Sequence, residues 1–139
     1  VLVLDASAAV ELVVETPLGR VVAAHLKGEG GPLHAPHLLD VEVLSALRQL
    51  ARTGRLPRED VESAMSSFRL LPVVRYPHSH FLDRAWQLRE TVSAYDAMYI
   101  ALAEALDAPL LTCDGPLAAA HGHRAEVLLA RIAGGPSRR

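Results

Sequence analysis

Two short apolar runs in this chain each end on an aspartate: VLVLD at residues 1–5 and LLTCD at residues 110–114. Neither run alternates polar with apolar positions, as a strand with one wet face would. Each therefore reads as a strand covered on both sides, and a sequence of helical spacing follows each at once. Strands of this kind build parallel sheets whose crossovers are helices. The rest of the chain agrees. A helix is expected from Ala6 to Glu15, then a second from Pro17 to about Lys27, before the loop GEGGP at 28–32. Leu33 to Ala35 form a short extended piece. Residues 37–54 read as a helix with Leu39, Val43, Ala46, Leu47 and Leu50 on one face and Gly54 just past its end. Another, from about Leu56-Pro57, is carried by Val61, Ala64, Met65 and Phe68. LLPVVRYP at 70–77 reads as a strand and HSHFLDRAWQLRE at 78–90 as an amphipathic helix. SAYDAMYIALAEALDA at 93–108 is a helix apolar almost all round, hence buried on several sides. HRAEVLLAR at 123–131 reads as the last strand.

At 139 residues the chain is expected to form one domain, 1–139, with a frayed tail from about 132 to 139. Half of its residues are apolar, enough for a core that needs no disulfide or metal. Cys113 is the only cysteine, so no internal disulfide forms and a reducing, cytoplasmic home is expected. The opening apolar run is far too short for a signal or a membrane span. A net charge of −2 gives no general pull on nucleic acid. Lys27 is the sole lysine among 14 basic residues; the arginines suit bidentate phosphate contact, and a genomic bias toward arginine codons gives the same ratio.

Three acids sit where a helix begins: Asp5, Asp96 and Asp114. Taken singly, each is a cap: Asp5 and Asp114 as N-caps, and Asp96 as the return partner of Ser93 in a capping box. Taken jointly, they mark a site. In an open parallel sheet, function collects outside the carboxyl ends of the strands, near the point where strand order reverses. Glu42 is a fourth member, on the shoulder of its helix's apolar stripe, about 100° from the centre. Two unit charges about 4 Å apart repel by roughly 4 kcal/mol at an effective dielectric near 20, so such a cluster needs protons or a cation. Hard oxygen donors suit Mg²⁺ or Mn²⁺, and the chemistry that uses this arrangement is metal-assisted phosphodiester hydrolysis.

LDASAAVELV, HLLDVEVLSAL, SAYDAMYIALAEAL and LLTCDGPLA resemble the four acidic motifs of the PIN-domain family, in order and over roughly residues 1–130. They look particularly like the VapC-type toxins of bacterial toxin–antitoxin pairs. The resemblance implies an α/β/α sandwich around a parallel sheet of four or five strands, and a Mg²⁺- or Mn²⁺-dependent RNA endonuclease that uses metal-activated water. It implies a cognate VapB-type antitoxin, a homodimer and no membrane partner. It maps Asp5, Glu42, Asp96 and Asp114 onto the acidic site, with Glu42 binding metal directly or through water. Ser7 and Thr112 match supporting hydroxyls, and Arg89 matches an arginine that relatives keep near the site. Many relatives carry a further acid soon after the fourth; here Gly-Pro-Leu follows Asp114, which weakens a second metal site.

Other residues carry plainer readings. Arg89 is equally a surface ion-pair partner, and Arg48, Arg52 and Arg55 are a solvated helix face before they are a basic stripe. The pairs His78/His80 and His121/His123 lack the partners a zinc site needs. Cys113 is a packed small residue rather than a nucleophile. Two other functions compete. A phosphoaspartyl phosphatase or receiver domain needs a second early aspartate or a late lysine, and position 7 is serine while Lys27 lies early. A non-catalytic interaction module gains stability by losing the four acids, and all four are present.

Overall fold

The computed structural model describes residues 1–133. One all-parallel sheet holds β1 (Leu2–Leu4), β2 (Leu33–Pro36), β3 (Val73–Tyr76), β4 (Leu110–Thr112) and β5 (Val127–Leu129), in the order β3-β2-β1-β4-β5. The connecting helices are α1 (Ala6–Val14), α2 (Pro17–Glu29), α3 (Leu38–Arg52), α4 (Arg58–Leu70), α5 (Leu82–Gln87), α6 (Ala94–Leu106) and α7 (Gly115–Ala119). The chain steps outward from β1 to β3, then returns across the sheet to β4 and β5. Right-handed crossovers place the helices before and after that reversal on opposite faces. The packing agrees: α1 lies against α2, α3 and α4, while α6 lies against β1, β2 and β4 and pairs with α5. The expected three-layer architecture is present, with five strands. Its reversal falls between β1 and β4, so the crevice at their carboxyl ends is the place the topology leaves for a site.

Burial follows the apolar runs. Every side chain of β1 and β4 is buried, and so is every residue of α6 from Ala97 to Ala103. Leu39, Val43 and Leu47 turn the α3 stripe inward, and Ala64 and Phe68 do so for α4. Gly54, at φ 69, ends α3 in the left-handed region, where a glycine carries no penalty.

Several boundaries differ from expectation. Residues 70–77 form a strand only from Val73, because α4 runs through Leu70 and Pro72 has no N–H to give a ladder. β5 covers 127–129 rather than 123–131, since His123 ties down the preceding loop through Ala120 O and the Ala125 N–H. α2 continues to Glu29, two residues past Lys27. The helix expected over 78–90 is a 3₁₀ turn, His78–Phe81, followed by the six-residue α5. The expected tail lies, from residue 134 onward, outside the described residues.

Candidate active site

Asp5 stands where β1 stops and α1 starts. Its N–H still reaches Leu111 O at 3.2 Å, one step beyond the strand, and its extended backbone makes it the N-cap of α1. The carboxylate is held by three donors. Oδ1 accepts the Ala8 N–H at 3.0 Å and the Ser7 hydroxyl at 2.7 Å, and Oδ2 accepts the Thr112 hydroxyl. Thr112 is fully buried, and its oxygen in turn accepts the Asp114 N–H at 3.0 Å. Ser7 Oγ accepts the Cys113 N–H at 2.9 Å. Two hydroxyls thus lace the end of β1 to the end of β4, and Asp5 is both a cap and the centre of a constellation.

The other acids approach from three further elements. Asp96 lies in the first turn of α6, where Ser93 Oγ accepts its N–H at 3.1 Å. Among the described residues no return bond runs from the Asp96 carboxylate to the Ser93 N–H, so the capping box is half made and the carboxylate stays available to the cleft. Asp114 caps the short α7 through a long 3.4 Å contact with the Leu117 N–H. Glu42, half-buried on α3, accepts the Tyr99 hydroxyl at 2.7 Å. The ion pairs among the described residues use other acids, so no basic side chain among those residues neutralises any of these four.

Their electrostatics tie them together. Burial pushes the Asp5 carboxyl above its ordinary range; the bonds from Thr112, Ala8 and Ser7 oppose this, and the Asp96 charge adds to it. Burial likewise raises Glu42, against the Tyr99 bond and with help from the charges of Asp96 and Asp5. Asp96 is raised by burial and then by the Asp114 charge, with Ser93 opposing. Asp5, Glu42 and Asp96 each feel the charge of another acid, and the Asp114 charge reaches Asp96, so the four form one connected field of negative charge.

Such a donor set, all carboxylate oxygen with no thiolate or imidazole among it, fits a hard divalent cation. Among the described residues, no three Asp, Glu, His or Cys side chains converge closely enough to clasp one ion by themselves.

Arg89 stacks on Trp86, 4.4 Å from the ring centroid, donates to Trp86 O at 2.9 Å and lies 3.6 Å from Glu90. The surface partner expected for it is therefore present. Arg48, Arg52 and Arg55 are exposed. His78 accepts the Leu38 N–H at the start of α3. Burial, and then the charges of Asp5 and Glu11, push the Cys113 thiol up to about 11, so it stays protonated near neutrality. Tyr99 was missed in the sequence because an aromatic in a wholly apolar helix looks like core. Its i, i+3 spacing from Asp96 was the available signal.

The long cap bond at Asp114 makes a prediction. Asp114→Ala is expected to cost at most about 1 kcal/mol of stability in chelator, the usual value of a cap or less. Chemical denaturation of both proteins without metal checks this, and a larger loss would make Asp114 mainly structural.

The open parallel sheet with acids at its switch point defines a class that other proteins share. A profile of the PIN domain matches residues 2–122, and the chain belongs to the PIN-domain family, among its VapC proteins. Ribonuclease VapC12 of Mycobacterium tuberculosis is 48% identical over 128 residues, which is 92% of this chain and 98% of the relative. Ribonuclease VapC1 of the same species is 42% identical over 130 residues, 93% and 97% of the two chains. Among solved structures, PAE2754 from Pyrobaculum aerophilum superposes with a TM-score of 0.61 at 25% identity, covering 91% of this chain and 81% of that one. Mycobacterium tuberculosis VapC20, described as a sarcin-ricin loop cleaving toxin, gives 0.64 at 14% identity over 89% and 97%, a likeness of fold. No helix among the described residues is long and apolar enough to cross a membrane.

Proposed function

We propose that this protein is a Mg²⁺- or Mn²⁺-dependent RNA endonuclease, the toxin of a toxin–antitoxin pair. The observation that carries this reading is a set of four acids, Asp5 and Asp114 at the ends of the two strands that flank the switch point, without a basic partner among the described residues, in a chain so similar to proteins named as ribonucleases. Asp5, Asp96 and Asp114 are the metal ligands in this reading, and Glu42 joins them directly or through water. When bound, the cation stabilises charge on the phosphate and lowers the pKa of water. The chain's own part is to hold those oxygens still. Ser7 and Thr112 fix the Asp5 carboxylate, and β1 and β4, laced together, set Asp5 against Asp114. Arg89 is exposed and is the candidate contact for an RNA phosphate.

The partners follow the same reading. Exposed Val41 and Leu44 on α3, Leu82 and Trp86 on α5 and Tyr95 on α6 offer apolar surface for a second copy of the chain. A groove of about 600 Å³ between α1 and the end of α3, lined by Val10, Val14, Leu50 and Leu56 with Glu11 and Arg55, offers room for an antitoxin segment. An antitoxin arginine reaching the acids would neutralise them as a cation does. A cytoplasmic location goes with this role.

Purified protein is expected to cut RNA in Mg²⁺ or Mn²⁺ and to stop when chelator is added. Ribosomal, transfer and messenger RNA supplied separately would each be scored for defined products. Undiminished cleavage in chelator would sink the metal-nuclease reading.

A further inference from the structure

We infer that Tyr99 is a positioning residue for Glu42: its hydroxyl, donated from α6 to α3, holds the Glu42 carboxylate in place beside Asp5 and Asp96. The bond spans 57 positions of sequence at 2.7 Å, and among the described residues it is the only hydrogen bond Glu42 receives. Its place in the fold gives it more than a packing role. Tyr99 is 1% exposed in a stretch, Ala97 to Ala103, that is otherwise wholly apolar. Packing alone would be served by phenylalanine, since a buried phenol must find a partner for its O–H.

Glu42 needs a tether. It is a long side chain, half-buried on a helix shoulder whose neighbours Val41 and Leu44 are exposed. The charges of Asp5 and Asp96 push on it, and three free torsions would let it turn to water. A donor that carries no charge of its own holds it without using up the negative field a cation needs. α6 also carries Asp96, one turn before Tyr99. The same helix therefore places one acid directly and a second through the phenol. A phenol is both donor and acceptor, and toward a carboxylate it can only donate.

This inference rests on the metal-nuclease reading, and its test separates the two. Mn²⁺ is titrated calorimetrically into wild type, Tyr99→Phe, Glu42→Gln and the double variant, and RNA cleavage is followed against Mn²⁺ concentration. Thermal unfolding in chelator establishes that each is folded; phenylalanine keeps the buried ring. Tyr99→Phe is expected to weaken Mn²⁺ binding and raise the half-activating concentration about tenfold, the usual effect of removing a partner behind a metal ligand. Most of the rate should return at saturating Mn²⁺. In the Glu42→Gln background the same change should add almost nothing, because the two residues act as one unit. Wild-type Mn²⁺ affinity in folded Tyr99→Phe, or an equal further loss in the Glu42→Gln background, would overturn the role of Tyr99 alone. A wild type that binds no Mn²⁺ would remove both readings.

Discussion

Asp5→Asn is expected to lower RNA cleavage by about a thousandfold or more, the scale of losing a ligand charge that acts in the transition state. The structure explains why the change is nearly silent in shape. Asparagine Oδ1 still accepts the Ala8 N–H and the Ser7 hydroxyl. The new amide replaces Oδ2, which faces the Thr112 hydroxyl. Thr112 oxygen already accepts the Asp114 N–H, so its own proton must turn elsewhere, and Ser7 Oγ lies 3.2 Å away. One rearranged buried hydrogen bond costs about 1 kcal/mol. Relief of repulsion toward Asp96 offsets part of that. Function and stability should therefore separate: cleavage nearly gone, unfolding free energy almost unchanged. Paired cleavage rates and denaturant curves in chelator measure both. Cleavage at the wild-type rate would remove Asp5 from the chemistry, whereas wholesale unfolding would make it a cap before anything else.

Asp5 caps α1 as its place in the chain implies, while its part in a metal site belongs to the proposed function, and the difference says what a sequence can carry. An acid after a buried strand is visible in one dimension, and so is its place at a helix start. Whether β1 and β4 are neighbours depends on the return of the chain across the sheet, which buried apolar runs imply only in outline. Asp114 and Thr112 become parts of Asp5's surroundings through that pairing alone. Glu42 showed itself by its angle on α3, but its hydroxyl partner did not, because Tyr99 and Glu42 meet only once two helices have packed. Boundaries failed where local apolar periodicity runs past the structural stop. Leu70 and Leu71 look as much like strand as like the end of α4, and tertiary packing of Phe68 decides between them. Arg89 lies seven residues before Asp96 in the chain, and its stacking on Trp86 depends on the tight turns that end α5.

Acidifying the metal-free protein from neutrality toward the ordinary carboxylate values is expected to stabilise it through the acidic cluster, an unusual direction for a carboxylate site. Asp5, Glu42 and Asp96 each hold a proton to higher pH in the fold than their ordinary values of 3.8 and 4.5 allow in the unfolded chain. Between those ordinary values and the raised ones, the folded protein binds more protons, so stability falls as pH climbs. The contribution is whole below the unfolded values and is lost as pH rises through the folded ones. Glu104 runs the other way. Arg84 holds it down to about 2, so its contribution is present above its ordinary 4.5 and is lost as pH falls toward that lower value. His34, lowered by burial, also favours the higher pH. The cluster's share is therefore read as a difference: Asp96→Asn should show a shallower loss of stability than wild type in chelator as pH rises above the ordinary carboxylate values. Mn²⁺ should cancel the wild-type loss at neutral pH, because a divalent ion does there what protons do at lower pH. At a hundredfold excess over its dissociation constant, the ion adds about 2.7 kcal/mol to the folded state. It should bind less well as protons compete for the same oxygens. Unfolding temperatures from the ordinary carboxylate values up to neutrality, with chelator and with Mn²⁺, give all of these slopes. Identical pH profiles for wild type and Asp96→Asn, unmoved by Mn²⁺, would mean that the four acids do not share one field. The repulsion they store without metal would then have to be absent, and with it the physical reason for a cation to bind.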